Sequence, residues 1–584
     1  MHNIQDGDSS QTRVKKSPRG QASPRRNKTS AGKTGVKVAV SLMAFAAFCY
    51  LPAWGEDDDY RQTVTRAKST VTELPPGVTA EMLTRHDPVA LQLLDGGRRL
   101  AVACAASGSL MEFDLKSGEA VTSLAAGKRL SQLASLENGR WLLATDEADH
   151  ALLLLDRRGS APQVVQRIAV PKYPVGLAVD ETTGRAYVSS PWAPRLAVAE
   201  LNLGGKSPVL RVDRVVDLPF APRKLLVLKP GGKLLIADAF GGQLALFDMQ
   251  HATLEAVREL PAHHIRGLAL ARDGERVLIA HQILNDLAET THNDVHWGVL
   301  MSNVLRWIPP RNVVDQARPI LANGHVHLTG DNTSAGGDPA AVAIAADGRA
   351  VVALAGVNQI GIGYERDFTL KRVEVGQRPT DVVISADGQT AYVANTFDDT
   401  ISQVDIEAGR VVRTLRLGYR RPANEVELGE RLFYDARLSL DGWFSCHSCH
   451  TDGHANGSLT DTRGDHSFGA AKRILPLGGV ADTAPWAWNG SQPELSQQIA
   501  RSIVSTMQGD PLHKSDLAAL KAYVRTLQPP PSLASARDEI DPVATAAGEK
   551  LFASLGCAEC HQPPTYTSAA TYDVGLTDNL GNRL

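Results

Sequence analysis

Seven glycine-bearing turns recur between residues 86 and 420, and they limit the fold more tightly than any other feature of the chain. They are Asp95-Gly96-Gly97, Asn138-Gly139, Thr183-Gly184, Pro230-Gly231-Gly232, Asp273-Gly274, Asp347-Gly348 and Asp387-Gly388. Each joins two apolar, β-forming runs, such as Val382-Val383-Ile384 and Thr390-Ala391-Tyr392-Val393-Ala394-Asn395, the pattern of a hairpin closed by a tight turn. One such copy cannot bury its own faces, whereas radial closure covers the faces and protects the edges. The pattern therefore predicts an all-β seven-bladed propeller over residues 86–420. Successive turn glycines lie 40 to 48 residues apart, except Gly274 and Gly348, which are 74 apart and predict an insertion at about 282–336.

The ends have a different texture. Residues 1–35 are polar and basic, Val38 to Trp54 is almost wholly apolar, and Glu56-Asp57-Asp58-Asp59 follows. That order predicts an export signal over 1–55, cut near Gly55 or retained as a membrane anchor through residues 36–54, with a linker at 56–85. Arg25-Arg26 lacks the apolar residues that follow a twin-arginine pair. Either reading of the leader places the body of the protein outside the cytoplasm, in the periplasm or cell envelope. A net charge of -3 supplies no field for nucleic acid, and 43% hydrophobic content with 21% charged residues is that of a globular protein. After Gly418 the alternation stops and helical spacing begins, which predicts one helical domain at 421–530. A stiff Gln528-Pro529-Pro530-Pro531-Ser532 linker and a second domain at 541–584 follow.

Six cysteines are present: Cys49 in the leader, Cys104 in an apolar strand-like run, and four in two pairs. Cys104 reads as a buried small hydrophobe. The pairs stand in Cys446-His447-Ser448-Cys449-His450 and Cys557-Ala558-Glu559-Cys560-His561, both Cys-x-x-Cys-His, in which two thiols bond haem vinyl groups and the adjacent histidine binds iron. Two covalent haem c groups are expected, with His450 and His561 as proximal ligands. The alternatives are a zinc site or a redox dithiol. The pairs are far apart in sequence for the first, and a dithiol does not need the fifth-position histidine twice. The fold expected is thus an all-β seven-bladed propeller followed by mostly α-helical c-type cytochrome domains.

Two longer stretches resemble known families. Ser385-Ala386-Asp387-Gly388 through Tyr392-Val393-Ala394-Asn395 to Ile406-Glu407-Ala408-Gly409 resembles the YVTN-repeat propellers. Glu427-Leu428-Gly429-Glu430-Arg431-Leu432-Phe433-Tyr434-Asp435-Ala436-Arg437-Leu438-Ser439, followed by the first haem pentapeptide, resembles the bacterial di-haem cytochrome c peroxidases, a family that includes the methylamine-utilisation di-haem enzyme. That resemblance covers roughly residues 422–584. It implies a distal-face residue at His466, in a region followed by Lys472-Arg473-Ile474-Leu475-Pro476; a solvated loop histidine is the alternative. His454 is a rival for that face, and His447 reads as a surface spacer. Trp488, in Pro485-Trp486-Ala487-Trp488-Asn489-Gly490, falls near the family's path between haems, with core packing as the alternative.

The departures matter as much. Gln498 matches a family glutamine, but Gln508 stands where these peroxidases carry a glutamate, and an amide cannot give and recover a proton as a carboxylic acid does. Ile474 occupies the place of an asparagine that helps bind calcium between the domains in the family. Only 23 residues follow His561, so the second domain is expected to lack the family's remaining stretch with its distal ligand; Tyr566 and Tyr572 are the nearby substitutes. The propeller insertion holds His281, His292, His296, Trp297, His325 and His327, and reads as a loop docking on the haem region rather than a metal site. The resemblance implies an exported, peroxidase-like di-haem oxidoreductase with catalytic candidates His466, Gln508 and Trp488, a small redox protein or other electron donor as partner, and peroxide as oxidant. The alternative is an electron-transfer or partner-binding cytochrome without peroxide turnover, its propeller serving as an interaction module.

Overall fold

A computed structural model describes residues 83–573 apart from 160, 205–207, 229–231 and 463–470, together with 575 and 577. The leader, including residues 36–54, and His466 lie outside the described residues. Among the described residues no helix is long and apolar enough to cross a membrane.

The seven predicted turns all fall between the first and second strands of seven four-stranded antiparallel sheets. The first sheet opens with Pro88–Leu94, the next five with Leu130–Leu136, Gly176–Asp180, Pro222–Leu228, His263–Leu270 and Pro339–Ile344, and the last with Pro379–Ile384. The turn glycines adopt the left-handed backbone that the tight reversal demands, with φ of 86° at Gly97 and 88° at Gly139 and Gly348. Middle strands such as Arg99–Cys104 are buried on both faces, because each is sandwiched by its neighbouring blades. Outer strands such as Gln163–Ala169 alternate exposed and half-buried positions instead.

A separate apolar cluster fills each junction between successive blades. The ring closes in the same way, as Leu100, Val102 and Phe113 of the first blade pack with Tyr392, Ala394 and Ile401 of the seventh. Polar contacts secure that seam: the backbone N–H groups of His86 and Asp87 both donate to Asp399 Oδ1, at 3.1 and 2.7 Å. Cys104 is fully buried there, and burial pushes its thiol well up, as expected of a structural cysteine.

The stretch expected as one insertion, about 282–336, differs in kind. It contains two of the fifth blade's own strands, Met301–Ile308 and His325–Leu328, so the added length is distributed over the loops around them. The first of these loops docks on the helical region: Ala288, Val295, Leu300 and Met301 share one core with Phe433, Leu438, Trp443, Phe444 and Ile503. Asn303 Nδ2 donates to Trp443 O at 2.7 Å, and Trp443 Nε1 donates to His296 O at 3.2 Å.

Within the helical region, Glu425–Phe433 starts at a capping box formed by Asn424 and Glu427. It crosses Lys514–Val524 so closely that a Cβ on Gly429 would lie 1.8 Å from Ala519 O. The stiff linker leads into Leu533–Arg537, which straps onto the third blade: Arg537 Nε donates to Ala193 O at 2.8 Å, and Lys172 pairs with Asp538 at 2.5 Å. Helix Pro542–Ser554 then buries none of its residues.

Candidate functional site

Cys446–Cys449 is a single helical turn, entered through a reciprocal capping box between Ser445 and Ser448. The turn aligns both thiols with His450, whose backbone N–H donates to Cys446 O at 2.8 Å. His450 Nδ1 lies 2.9 Å from Leu475 O. A carbonyl only accepts, so Nδ1 carries the proton and Nε2 keeps its lone pair for a metal. The second pentapeptide repeats the device: the His561 N–H donates to Cys557 O at 2.9 Å, and His561 Nδ1 lies 3.1 Å from Tyr566 O. Both histidines are thus held in the tautomer a haem iron requires. The donor set fits haem.

The surroundings of the two pairs differ. Cys446 and Cys449 pack against the apolar core of Phe433, Trp443, Leu495, Ile503 and Met507, while Cys557 is half-buried and Cys560 is exposed. Burial, with Asp338 contributing, pushes the Cys446 and Cys449 thiols up to about 12. A redox dithiol needs the opposite shift. The two pairs do not converge, and among the described residues no three His, Cys, Asp or Glu side chains are grouped to hold a metal ion.

His447 departs from the expected surface position. It is 5% exposed rather than a surface spacer, and it packs edge-on against His264 of the fifth blade at 4.6 Å and tilted against Tyr434 at 4.5 Å. Its Nδ1 accepts from the Asp452 N–H at 3.1 Å. The physical reason is that the x-x residues of this pentapeptide face the propeller. His454 also turns to the propeller, with Trp192 and Phe240 at 5.6 and 5.2 Å, which weakens it as a distal residue. Trp488 is 46% exposed, its Nε1 donating to Arg473 O at 3.1 Å; Trp486 is the member of the pair that packs against the core. Tyr566 and Tyr572 are both exposed, and Ile474 is buried. In the fifth-blade loops, His296 pairs with Asp441 at 2.7 Å and stacks on His292, while His281, on strand Val277–Leu284, is fully buried and accepts from Arg306 Nε at 3.1 Å. His325 and His327 meet edge to face, their ring centroids 4.7 Å apart.

Gln508 sits at a left-handed position, φ 53°, and its Nε2 donates to both Thr290 O and Ser505 O at 2.8 Å. The amide thereby ties the fifth-blade loop to the haem region, a task that a carboxylate facing two carbonyl oxygens cannot perform. Gln508→Glu is expected to destabilise the protein by about 1–3 kcal/mol. The two carbonyls would raise the new carboxyl's folded pKa above its unfolded value, so the folded state would bind more protons and the loss would grow as pH rises through the glutamate range. Urea midpoints at pH 5 and pH 8 check this.

Some of the site's supports carry no local sequence signal. Asp338, at the entry to the sixth blade and 3% exposed, accepts from the hydroxyls of Ser445 and Ser448 at 2.5 Å each. Arg378 lies 3.4 Å over the Tyr434 ring, and Arg223 and Arg266 each reach Asp452 Oδ2 at 3.1 Å.

The fold and the site together are a closed propeller bearing a helical segment with a half-buried Cys-x-x-Cys-His turn. Residues 423–537 match the family model described as di-haem cytochrome c peroxidase, which carries the sequence resemblance through the first haem pentapeptide and stops short of the second. The chain is 30% identical over 169 residues to hydrazine synthase subunit gamma of Kuenenia stuttgartiensis, covering 26% of this chain and 48% of that protein. It is 26% identical over 186 residues to cytochrome c551 peroxidase of Pseudomonas aeruginosa, covering 26% of this chain and 54% of that one. It is also 26% identical over 242 residues to methylamine utilization protein MauG of Methylorubrum extorquens, covering 33% and 68% respectively. The chain thus spans about half the length of the first two relatives. A solved structure of Kuenenia stuttgartiensis hydrazine synthase aligns over 57% of this chain and 98% of its own, at 17% identity and a TM-score of 0.48.

Proposed function

We propose that this protein is an exported di-haem c-type oxidoreductase of peroxidase-like character, binding haem covalently at Cys446/Cys449 and Cys557/Cys560. The observation that carries the reading is the shared geometry of His450 and His561, each following a Cys-x-x-Cys turn with Nδ1 engaged by a backbone carbonyl. When bound, the haems supply one-electron chemistry and an iron able to meet an oxidant. The chain's own residues divide the work. The Cys446–His450 turn, held among apolar side chains and on the propeller, suits the reacting haem, while the exposed Cys557–His561 turn suits entry of electrons from a small redox protein. His466 is the candidate for the distal face of the His450 haem. Replacing His466 with Gly should alter the haem spectrum and its peroxide reactivity; an unchanged spectrum and rate would remove it from the site.

A second reading is an electron-transfer or partner-binding cytochrome without peroxide turnover. Gln508 favours it, since its side chain supplies no acid and is already committed to Thr290 and Ser505. Stopped-flow mixing of the reduced holoprotein with hydrogen peroxide separates the two. Rapid haem oxidation followed by turnover supports the oxidoreductase, whereas an inert His450 haem leaves the electron carrier.

A further inference from the structure

A cavity of about 400 Å³ lies at the mouth of the propeller's central channel, roofed by Tyr434, His447 and Asp452 of the haem region. Its walls carry six cations, Arg85, Arg129, Arg223, Lys224, Arg266 and Arg378, and five carboxylates. The charges are unevenly matched. Arg85 pairs with Asp87 and Glu430, and Arg129 with Glu147. Asp338 is occupied by the two serine hydroxyls. On the opposite side, Arg223 and Arg266 share a single oxygen of Asp452, at 3.1 Å each. Arg378 stacks on Tyr434 and Phe397 without a carboxylate partner among the described residues. Lys224 has no hydrogen bond or ion pair with the described residues; Asp381 acts on it only through its field, and Asp381 Oδ2 accepts from the Leu91 N–H at 2.7 Å. Arg266 is 9% exposed, yet its Nε has no hydrogen-bond partner among the described residues.

Concentrating guanidinium and ammonium groups away from bulk water is costly unless opposite charge accompanies them. Four cations around one bonded carboxylate, with Asp381 opposing Lys224 only through its field and an orphaned buried donor among them, describe a site short of counter-charge. Burial lowers Lys224 from its ordinary value, the fields of Arg223 and Arg266 adding to the fall, and raises Asp381 to about 6 against the opposing field of Lys224. The cavity is too polar for an apolar guest and large enough for a small molecule with several hydrogen-bond acceptors. Arg129, with 56% of its side chain exposed, marks an edge that solvent reaches.

We infer that this cavity binds a small anion with two or more charged oxygens, a dicarboxylate or an oxyacid anion, held by Arg223, Lys224, Arg266 and Arg378. The roof includes His447, which sits between Cys446 and Ser448, so an occupant lies directly behind the first Cys-x-x-Cys-His turn. The site consists of protein groups alone and does not depend on what reacts at either haem.

The test is calorimetric titration of the full-length holoprotein with sodium oxalate and, separately, inorganic phosphate, at ionic strength held constant with chloride, while the Soret band is monitored. One of the two anions should bind saturably, oxalate preference identifying a carboxylate and phosphate preference an oxyacid. Lys224→Met removes a cation that has no ion pair to lose and should weaken binding about tenfold or more. Arg378→Gln should do the same, and serves if Lys224→Met fails to fold. Arg158→Gln, outside the cavity, should bind as the unaltered protein does. Heat signals no greater than those of chloride, or cavity variants that bind as tightly as the unaltered protein, would overturn the inference.

Discussion

Substituting Asp338 with leucine is expected to lower stability by about 2–5 kcal/mol and to reduce haem incorporation at the first pentapeptide. The carboxylate is 3% exposed and is the acceptor for both Ser445 and Ser448 hydroxyls. Ser448 Oγ in turn accepts from the Ser445 N–H at 2.9 Å, so the turn holding both thiols hangs on one propeller side chain. Leucine would leave two buried hydroxyls without an acceptor, whereas asparagine keeps a carbonyl for one and offers an amide to the other. Asp338→Asn should therefore retain most of the haem, and comparison of denaturant midpoints and haem content across the two variants checks the assignment. Equal loss in both would mean that the serine contacts are not what seats the turn.

Gly429→Val is expected to be at least as damaging, by about 3 kcal/mol or more, through overpacking rather than lost bonds. A Cβ at this position would lie 1.8 Å from Ala519 O and 2.8 Å from Tyr523 Cβ, and the first of these is helix backbone that cannot swing aside. Helices Glu425–Phe433 and Lys514–Val524 would have to separate, opening the core that contains Phe433, Leu520 and Val524. A fall in the urea midpoint with an unchanged slope is the expected signature. Gly429→Ala should show the same effect at smaller size.

How much of this could be read from the chain depends on whether the signal is local. The blade turns were legible because Gly97, Gly139 and Gly348 occupy a backbone region that other residues avoid, and because each turn recurs between strands one and two. The haem turns were legible because their chemistry requires fixed spacing of cysteine and histidine. Asp338, Arg378, Arg223 and Arg266 were not, since their partners Ser445, Tyr434 and Asp452 are brought to them only by docking of the helical region on the propeller. His447 was misplaced for the same reason: a histidine between two cysteines reads as a spacer until the element covering it is known. The fifth blade misled differently, because long loops flank Met301–Ile308 and His325–Leu328 and disguised these strands as insertion.

The proposed function rests on covalent attachment of two haems through the four paired thiols. Pyridine haemochrome assay of denatured, acetone-washed protein, matured in a host able to attach haem c, measures it directly. Two haems per chain are predicted, falling to one when Cys446 and Cys449 are both replaced by alanine and to one when Cys557 and Cys560 are. Washed protein without a haemochrome band would contradict the account and leave only the seven-bladed fold.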